Sequence, residues 1–112
     1  MKRSVKAIIV DDEQSGRQNL SLLLSRHCPK VKLVGKAIDV EEAISLVKSE
    51  KPDLVFLDIQ LGNKTGFDFL EAVPSDPFHL IFVTAYDQYA LKAIKFHALD
   101  YLVKPIDASE LK

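Results

Sequence analysis

Residues 54–58 read Leu54-Val55-Phe56-Leu57-Asp58, four apolar side chains in unbroken order closed by a carboxylate. The run is too short for a helix, and a strand with one face in water would alternate with polar residues. It therefore predicts a strand covered on both faces. Ala7-Ile8-Ile9-Val10, Leu80-Ile81-Phe82-Val83 and Tyr101-Leu102-Val103 have the same form. Val31 to Ala37 alternates apolar with polar residues and predicts a sheet edge.

Between these runs the spacing changes. Val40, Ala43, Ile44 and Val47 fall at i, i+3, i+4 and i+7, one face of a helix. Asp39 can cap that helix, Glu42 completes a capping-box-like pattern, and Pro52 ends the unit. Leu20, Leu23 and Leu24 share a face over 14–27. A short helix over 66–73 turns Phe67 and Leu70 inward and stops at Pro74. A fourth over 87–98 aligns Ala90, Ala93, Ile94 and His97. Strand and helix alternate with short connections, which predicts an α/β fold with a parallel sheet and helices on both faces. After Pro105 the residues suffice to begin a fifth helix but barely for two turns, so the last helix is expected to be truncated. The expectation is one domain over 1–112, the front part of a longer regulator.

Composition narrows the function. In 112 residues, 15 Lys and Arg face 16 Asp and Glu, for a net charge of -1. No basic patch suited to nucleic-acid phosphates stands out. Cys28 is the single cysteine, which suits a reducing compartment and reads as small hydrophobic filler. No segment approaches the roughly 18 apolar residues of a membrane span, and the basic start, Met1-Lys2-Arg3, lacks a signal peptide's apolar region. A cytoplasmic protein is expected.

In open parallel sheets, ligands bind beyond the carboxyl ends of the strands. Asp11 and Asp12 follow the first apolar run, Asp58 the run at 54–57, Thr84 the run at 80–83, and Lys104 the last. Three carboxylates in one pocket repel unless a cation neutralises them. An all-oxygen set with no His or Cys at metal spacing favours Mg²⁺. A carboxylate can act as nucleophile in phosphoryl transfer, and Asp58, alone at the centre, is the candidate. Lys104 would hold the phosphoryl oxygens as a point charge, and the Thr84 hydroxyl would hydrogen-bond one of them.

With these residues in place, the chain resembles the receiver domain of bacterial two-component response regulators over nearly its whole length. The resemblance rests on Ile9-Val10-Asp11-Asp12-Glu13, Leu57-Asp58-Ile59, Gly66, Val83-Thr84-Ala85 and Tyr101-Leu102-Val103-Lys104-Pro105. Thr84-Ala85-Tyr86-Asp87-Gln88-Tyr89-Ala90, followed by His97-Ala98-Leu99-Asp100-Tyr101-Leu102, is similar to the subgroup with a LytTR-type DNA-binding output domain (LytR/AlgR-like). The resemblance implies a flavodoxin-like (βα)5 three-layer sandwich with strand order 2-1-3-4-5. It implies that Asp58 accepts a phosphoryl group from the phosphohistidine of a sensor histidine kinase. Mg²⁺ would be held by Asp12 directly, by Asp11 mainly through water, by Asp58 and by the backbone carbonyl of Gln60. Tyr101 would change rotamer with Thr84, and the Lys104-Pro105 bond would be cis. Phosphorylation would control a homodimer, and DNA would be reached only through an output domain outside this chain. Where the family often has Met-Pro, this chain has Leu61-Gly62, which implies a more flexible loop.

Two other functions compete. A haloacid-dehalogenase-like phosphatase would use the first strand's aspartate, but it wants Asp-x-Asp where this chain has Asp11-Asp12-Glu13. A pseudo-receiver that only binds proteins would normally have lost an acidic position or the lysine. No enzyme activity is expected beyond self-phosphorylation from phosphodonors and slow self-dephosphorylation. His97 reads as a packed helix-end histidine, while His27 and His79 lack partners at metal spacing. Tyr86 and Tyr89 suit either a partner interface or ordinary helix packing.

Overall fold

The computed structural model describes residues 4–73, 77–106 and 109. Pro74, expected to stop the third helix, and residues 107, 108 and 110–112 of the expected fifth helix lie outside the described residues. The chain runs β1 (Val5–Val10), α1 (Gln14–His27), β2 (Val31–Ala37), α2 (Val40–Glu50), β3 (Leu54–Leu57), α3 (Gly66–Ala72), β4 (His79–Thr84), α4 (Ala90–Lys95) and β5 (Asp100–Val103). All five strands are parallel in the order β2-β1-β3-β4-β5, the flavodoxin-like order that the resemblance implied. β2 is an edge strand, as its alternation predicted. A small antiparallel ribbon, Gln60–Leu61 against Lys64–Thr65, occupies the β3–α3 loop and was not anticipated.

Successive strand residues point to opposite faces, and the central strands are apolar on both. Ile8, Val10, Val55, Leu57 and Phe82 pack with Val40, Ala43 and Val47 of α2, Phe67, Phe69 and Leu70 of α3, and Ala93 of α4. On the other face Ala7, Ile9, Phe56, Val83 and Leu102 pack with Leu20 and Leu24 of α1. Leu23, expected on the same stripe, is only half-buried. The order of strands reverses between β1 and β3, which opens a crevice at their carboxyl ends.

Local chemistry sets the helix ends. Asp39 caps α2 by accepting from the Glu42 amide at 2.8 Å, while the Glu42 carboxylate reaches back to the Ile38 amide at 2.9 Å. Lys51 closes α2 in the left-handed region, φ 46°. Thr65 and Asp68 form a reciprocal capping box at α3: the Thr65 hydroxyl accepts from the Asp68 amide, and the Asp68 carboxylate accepts from the Thr65 amide at 2.8 Å.

The fourth helix departs from the sequence pattern. It covers Ala90–Lys95 rather than 87–98. At its start, the Tyr86 amide and carbonyl are already bonded to Thr84 and Tyr101. At its end, Phe96 turns in against Phe67, ring centroids 5.5 Å apart, and the Leu99 amide returns to the sheet at the Leu80 carbonyl, 2.7 Å. These bonds hold the chain in non-helical geometry on both sides. The buried residue of α4 is Ala93, while Ala90 and Ile94 are exposed. His97, expected to pack, is exposed at φ 59° just past the helix.

The capping box makes a direct prediction. Thr65→Ala removes an acceptor from the first turn of α3 and is expected to lower unfolding free energy by about 1 kcal/mol, read from the urea midpoint at unchanged slope.

Candidate functional site

Asp11, Asp58 and Thr84 are buried polar residues in the otherwise apolar interior. Asp11, Asp58 and Lys104 are each the first residue past a strand, and each amide still donates to the last residue of the neighbouring strand. Asp11 bonds the Ala37 carbonyl at 3.0 Å, Asp58 that of Val10 at 2.9 Å, and Lys104 that of Thr84 at 2.8 Å. Their backbones therefore belong to the sheet while their side chains rise above its edge.

Those side chains meet. Lys104 Nζ lies 2.8 Å from Asp11 Oδ2 and 3.0 Å from Asp58 Oδ2. Both carboxylates have a second donor: the Glu13 amide reaches Asp11 Oδ1 at 2.9 Å and the Ile59 amide reaches Asp58 Oδ1 at 2.7 Å. Burial works against the Lys104 ammonium, but hydrogen bonds and charge from Asp11 and Asp58 outweigh it and hold its pKa above the ordinary lysine value. The Lys104-Pro105 bond is cis, as the resemblance implied.

Asp12 is placed differently. It is exposed, and its Oδ2 accepts from the Gly62 amide at 3.1 Å. Gln60 is exposed beside it and donates from Nε2 to the Gly62 carbonyl at 2.9 Å. Among the described residues, no three His, Cys, Asp or Glu side chains are gathered so as to hold a metal ion. Lys104 draws Asp11 and Asp58 together, and the loop holds Asp12. The donor chemistry still fits a hard divalent cation, because three carboxylates and one ammonium leave a formal charge of -2 on an all-oxygen set.

On the other flank, the fully buried Thr84 is turned to its own loop. Its Oγ1 accepts from the Tyr86 amide at 3.4 Å, and among the described residues no hydrogen bond joins it to Asp58. Tyr101 donates its hydroxyl to the Tyr86 carbonyl and packs its half-buried ring 5.7 Å from Phe82. Burial raises the Tyr101 pKa, and the nearby charges of Asp87 and Asp58 add to the shift. Of the two tyrosines left open above, Tyr89 packs on Phe67 at 6.1 Å, while Tyr86 is exposed edge-on to Tyr89.

Three contributors escaped the sequence reading. A methyl group on Gly16, in the first turn of α1, would stand 2.4 Å from Asp11 Oδ2 and 3.1 Å from Lys104 Nζ, so the ion pair needs a glycine there. Arg17 Nη1 donates to the Asp11 carbonyl at 2.8 Å. Gly62, at φ 64°, supplies the amide that Asp12 uses. Gly16 and Arg17 lie three and four residues past the acidic run 11–13, and that proximity was the available signal.

A five-stranded parallel sheet of this order, with two buried carboxylates on one lysine and a hydroxyl on the next strand, is a receiver-type fold. The sequence pattern of the response regulator receiver domain matches residues 7–112, and the chain belongs to that family. It is 45% identical over 106 residues to the sensory transduction protein LytT of Enterococcus faecalis, covering 93% of this chain and 43% of the relative. It is 40% identical over 111 residues to the transcriptional regulatory protein BtsR of Salmonella typhi, covering 96% and 45%. The response regulatory domain of protein mrkE from Klebsiella pneumoniae superimposes with a TM-score of 0.85 at 30% identity, covering 95% of this chain and 88% of that structure. The chain thus spans less than half the length of the curated relatives it matches. Among the described residues, no helix is long and apolar enough to cross a membrane.

Removing the lysine tests the ion pair. Lys104→Met strands two buried carboxylates and is expected to cost about 3 kcal/mol of stability at pH 7. A folded pKa above the unfolded value means this contribution is fully present below about pH 10.4 and is lost as pH rises through the folded pKa. The difference in melting temperature between parent and variant should therefore stay level from pH 7 to 9 and narrow in stronger alkali.

Proposed function

We propose that this chain is the phosphorylation switch of a two-component regulator. Asp58 accepts a phosphoryl group from the phosphohistidine of a sensor histidine kinase, in the cytoplasm. The observation that carries this reading is the pairing of buried Asp58 with Lys104 at the carboxyl end of the central strand. An Asp58 oxygen attacks phosphorus, the bond from phosphorus to the histidine nitrogen breaks, and that nitrogen keeps the electron pair. The product is an acyl phosphate on Asp58, and slow attack by water returns the carboxylate. Lys104, already held between Asp11 and Asp58, is placed to attract the phosphoryl oxygens without a large rearrangement. Asp11, Asp12, Asp58 and the Gln60 carbonyl would hold Mg²⁺, which when bound offsets the negative charge on the carboxylates and the incoming phosphoryl group.

Asp11, the nucleophile of the alternative phosphatase reading, and Asp58 are bonded alike, each with one oxygen on a backbone amide and the other on Lys104. They differ in that Asp11 lies against the first turn of α1, where a Cβ on Gly16 would stand 2.4 Å from its Oδ2.

The signal leaves through Thr84. Its hydroxyl reaches a phosphoryl oxygen on Asp58 by moving toward it, which disturbs the long bond it accepts from the Tyr86 amide, and Tyr86 in turn holds the Tyr101 hydroxyl. Movement of Thr84 therefore loosens Tyr101 and changes the surface formed by α4 and β5. That surface exposes Leu91, Ile94, Leu99 and Val103, which suits a phosphorylation-dependent homodimer. Dimerisation would bring together two DNA-binding output domains of the LytTR type that lie outside this chain.

With acetyl phosphate and Mg²⁺, the parent is expected to gain the mass of one phosphoryl group and Asp58→Asn none, while both keep the same circular dichroism. An equal gain in Asp58→Asn would move the acceptor elsewhere. In the full-length regulator, Thr84→Ala should still take the phosphoryl group on Asp58 but dimerise less than the parent in sedimentation. Equal dimerisation would remove Thr84 from the switch.

A further inference from the structure

We propose that the backbone amide of Gly62 is a positioning element that pre-arranges Asp12 for the divalent cation, an inference that rests on the Mg²⁺ reading above. Both backbone polar groups of Gly62 are bonded, the amide to Asp12 and the carbonyl to the Gln60 side chain. Its amide donates to Asp12 Oδ2 at 3.1 Å and its carbonyl accepts from Gln60 Nε2 at 2.9 Å. Asp12 is exposed, and an unheld exposed aspartate samples several rotamers. The Gly62 amide selects one and takes only Oδ2, leaving Oδ1 with its lone pairs for a cation.

The conformation at residue 62 explains why a glycine is used. Nothing lies within 4 Å of where a Cβ would stand, so space is not the constraint. The constraint is φ 64°, in the left-handed region. Proline at this place would have no amide hydrogen and a φ near −65°. It can make neither the bond nor the turn. The loop is anchored on either side of residue 62 as well, by Leu61 buried in the core and by the pairing of Gln60–Leu61 with Lys64–Thr65. Glycine here ties the loop to Asp12 through its amide.

Binding of Mg²⁺ alone, without phosphodonor, tests this by calorimetric titration of the parent, Gly62→Pro and Gly62→Asn. Asparagine keeps the amide and tolerates the left-handed region. Gly62→Asn should bind within about twofold of the parent, and Gly62→Pro about fivefold to tenfold more weakly, as expected when an ordered ligand must be reorganised. Matching metal-free circular dichroism of the three proteins establishes that the fold is kept. Equal or tighter binding by Gly62→Pro, or equal weakening in Gly62→Asn, overturns the proposal. A second measurement needs no metal. The Gly62 amide proton resonance should shift in Asp12→Ala, and an unmoved resonance removes the latch while leaving the Mg²⁺ reading intact. Absence of Mg²⁺ binding by the parent itself would overturn that reading and this inference together.

Discussion

The ammonium of Lys104 between the carboxylates of Asp11 and Asp58 is the contact on which the top of this molecule depends. Two carboxylates buried side by side repel at low dielectric and would favour opening the crevice. A cation 2.8 and 3.0 Å away makes the pair tolerable and joins the ends of three strands, β1, β3 and β5, that are far apart in the chain. The backbone supports this from below, since the same three residues each complete the last rung between neighbouring strands. Gly16 supports it from above by leaving α1 close enough to cover the pair.

Around this centre the site divides into two flanks of different character. On one, Asp12, Gln60 and Gly62 are exposed and linked through the backbone of a short ribbon pinned by Leu61. On the other, hydrogen bonds run from buried Thr84 through the backbone of exposed Tyr86 to half-buried Tyr101, linking β4 to β5. The first flank suits an ion that arrives from solvent. The second suits transmission, because altering the Thr84 contact changes what holds Tyr101.

The helix beside the second flank is also lightly anchored. α4 has six residues and buries Ala93, while Leu91 and Ile94 face outward. Phe67 of α3 supplies much of its seat, touching Tyr89, Phe96 and the Lys92 ammonium, which lies 4.4 Å above the ring. A short helix with few buried contacts costs little to displace, and such elements are where conformational change concentrates. The covered strands beneath it, with Phe82 fully buried, are not free to follow.

Residues 54–58 and their counterparts were enough to determine the α/β class, the parallel sheet and the strand ends where chemistry would lie. Apolar runs covered on both faces have few other solutions, and a carboxylate, hydroxyl or ammonium directly after such a run must sit at the rim. The identity of Asp11, Asp58, Thr84 and Lys104 as candidates was legible for that reason. Their partners were not. That Lys104 bridges Asp11 and Asp58 while Asp12 turns to Gly62 depends on contacts across 93, 46 and 50 residues of chain, which no local pattern encodes. The same is true of α4, whose periodicity ran over 87–98 but whose ends were set by the Tyr86 backbone bonds, the seat on Phe67 and the Leu99 return to the sheet. Local sequence determined which groups reach the rim, because burial and periodicity are local properties. Tertiary structure decided which of them touch, because pairing is settled by the three-dimensional competition for a single lysine and a single amide.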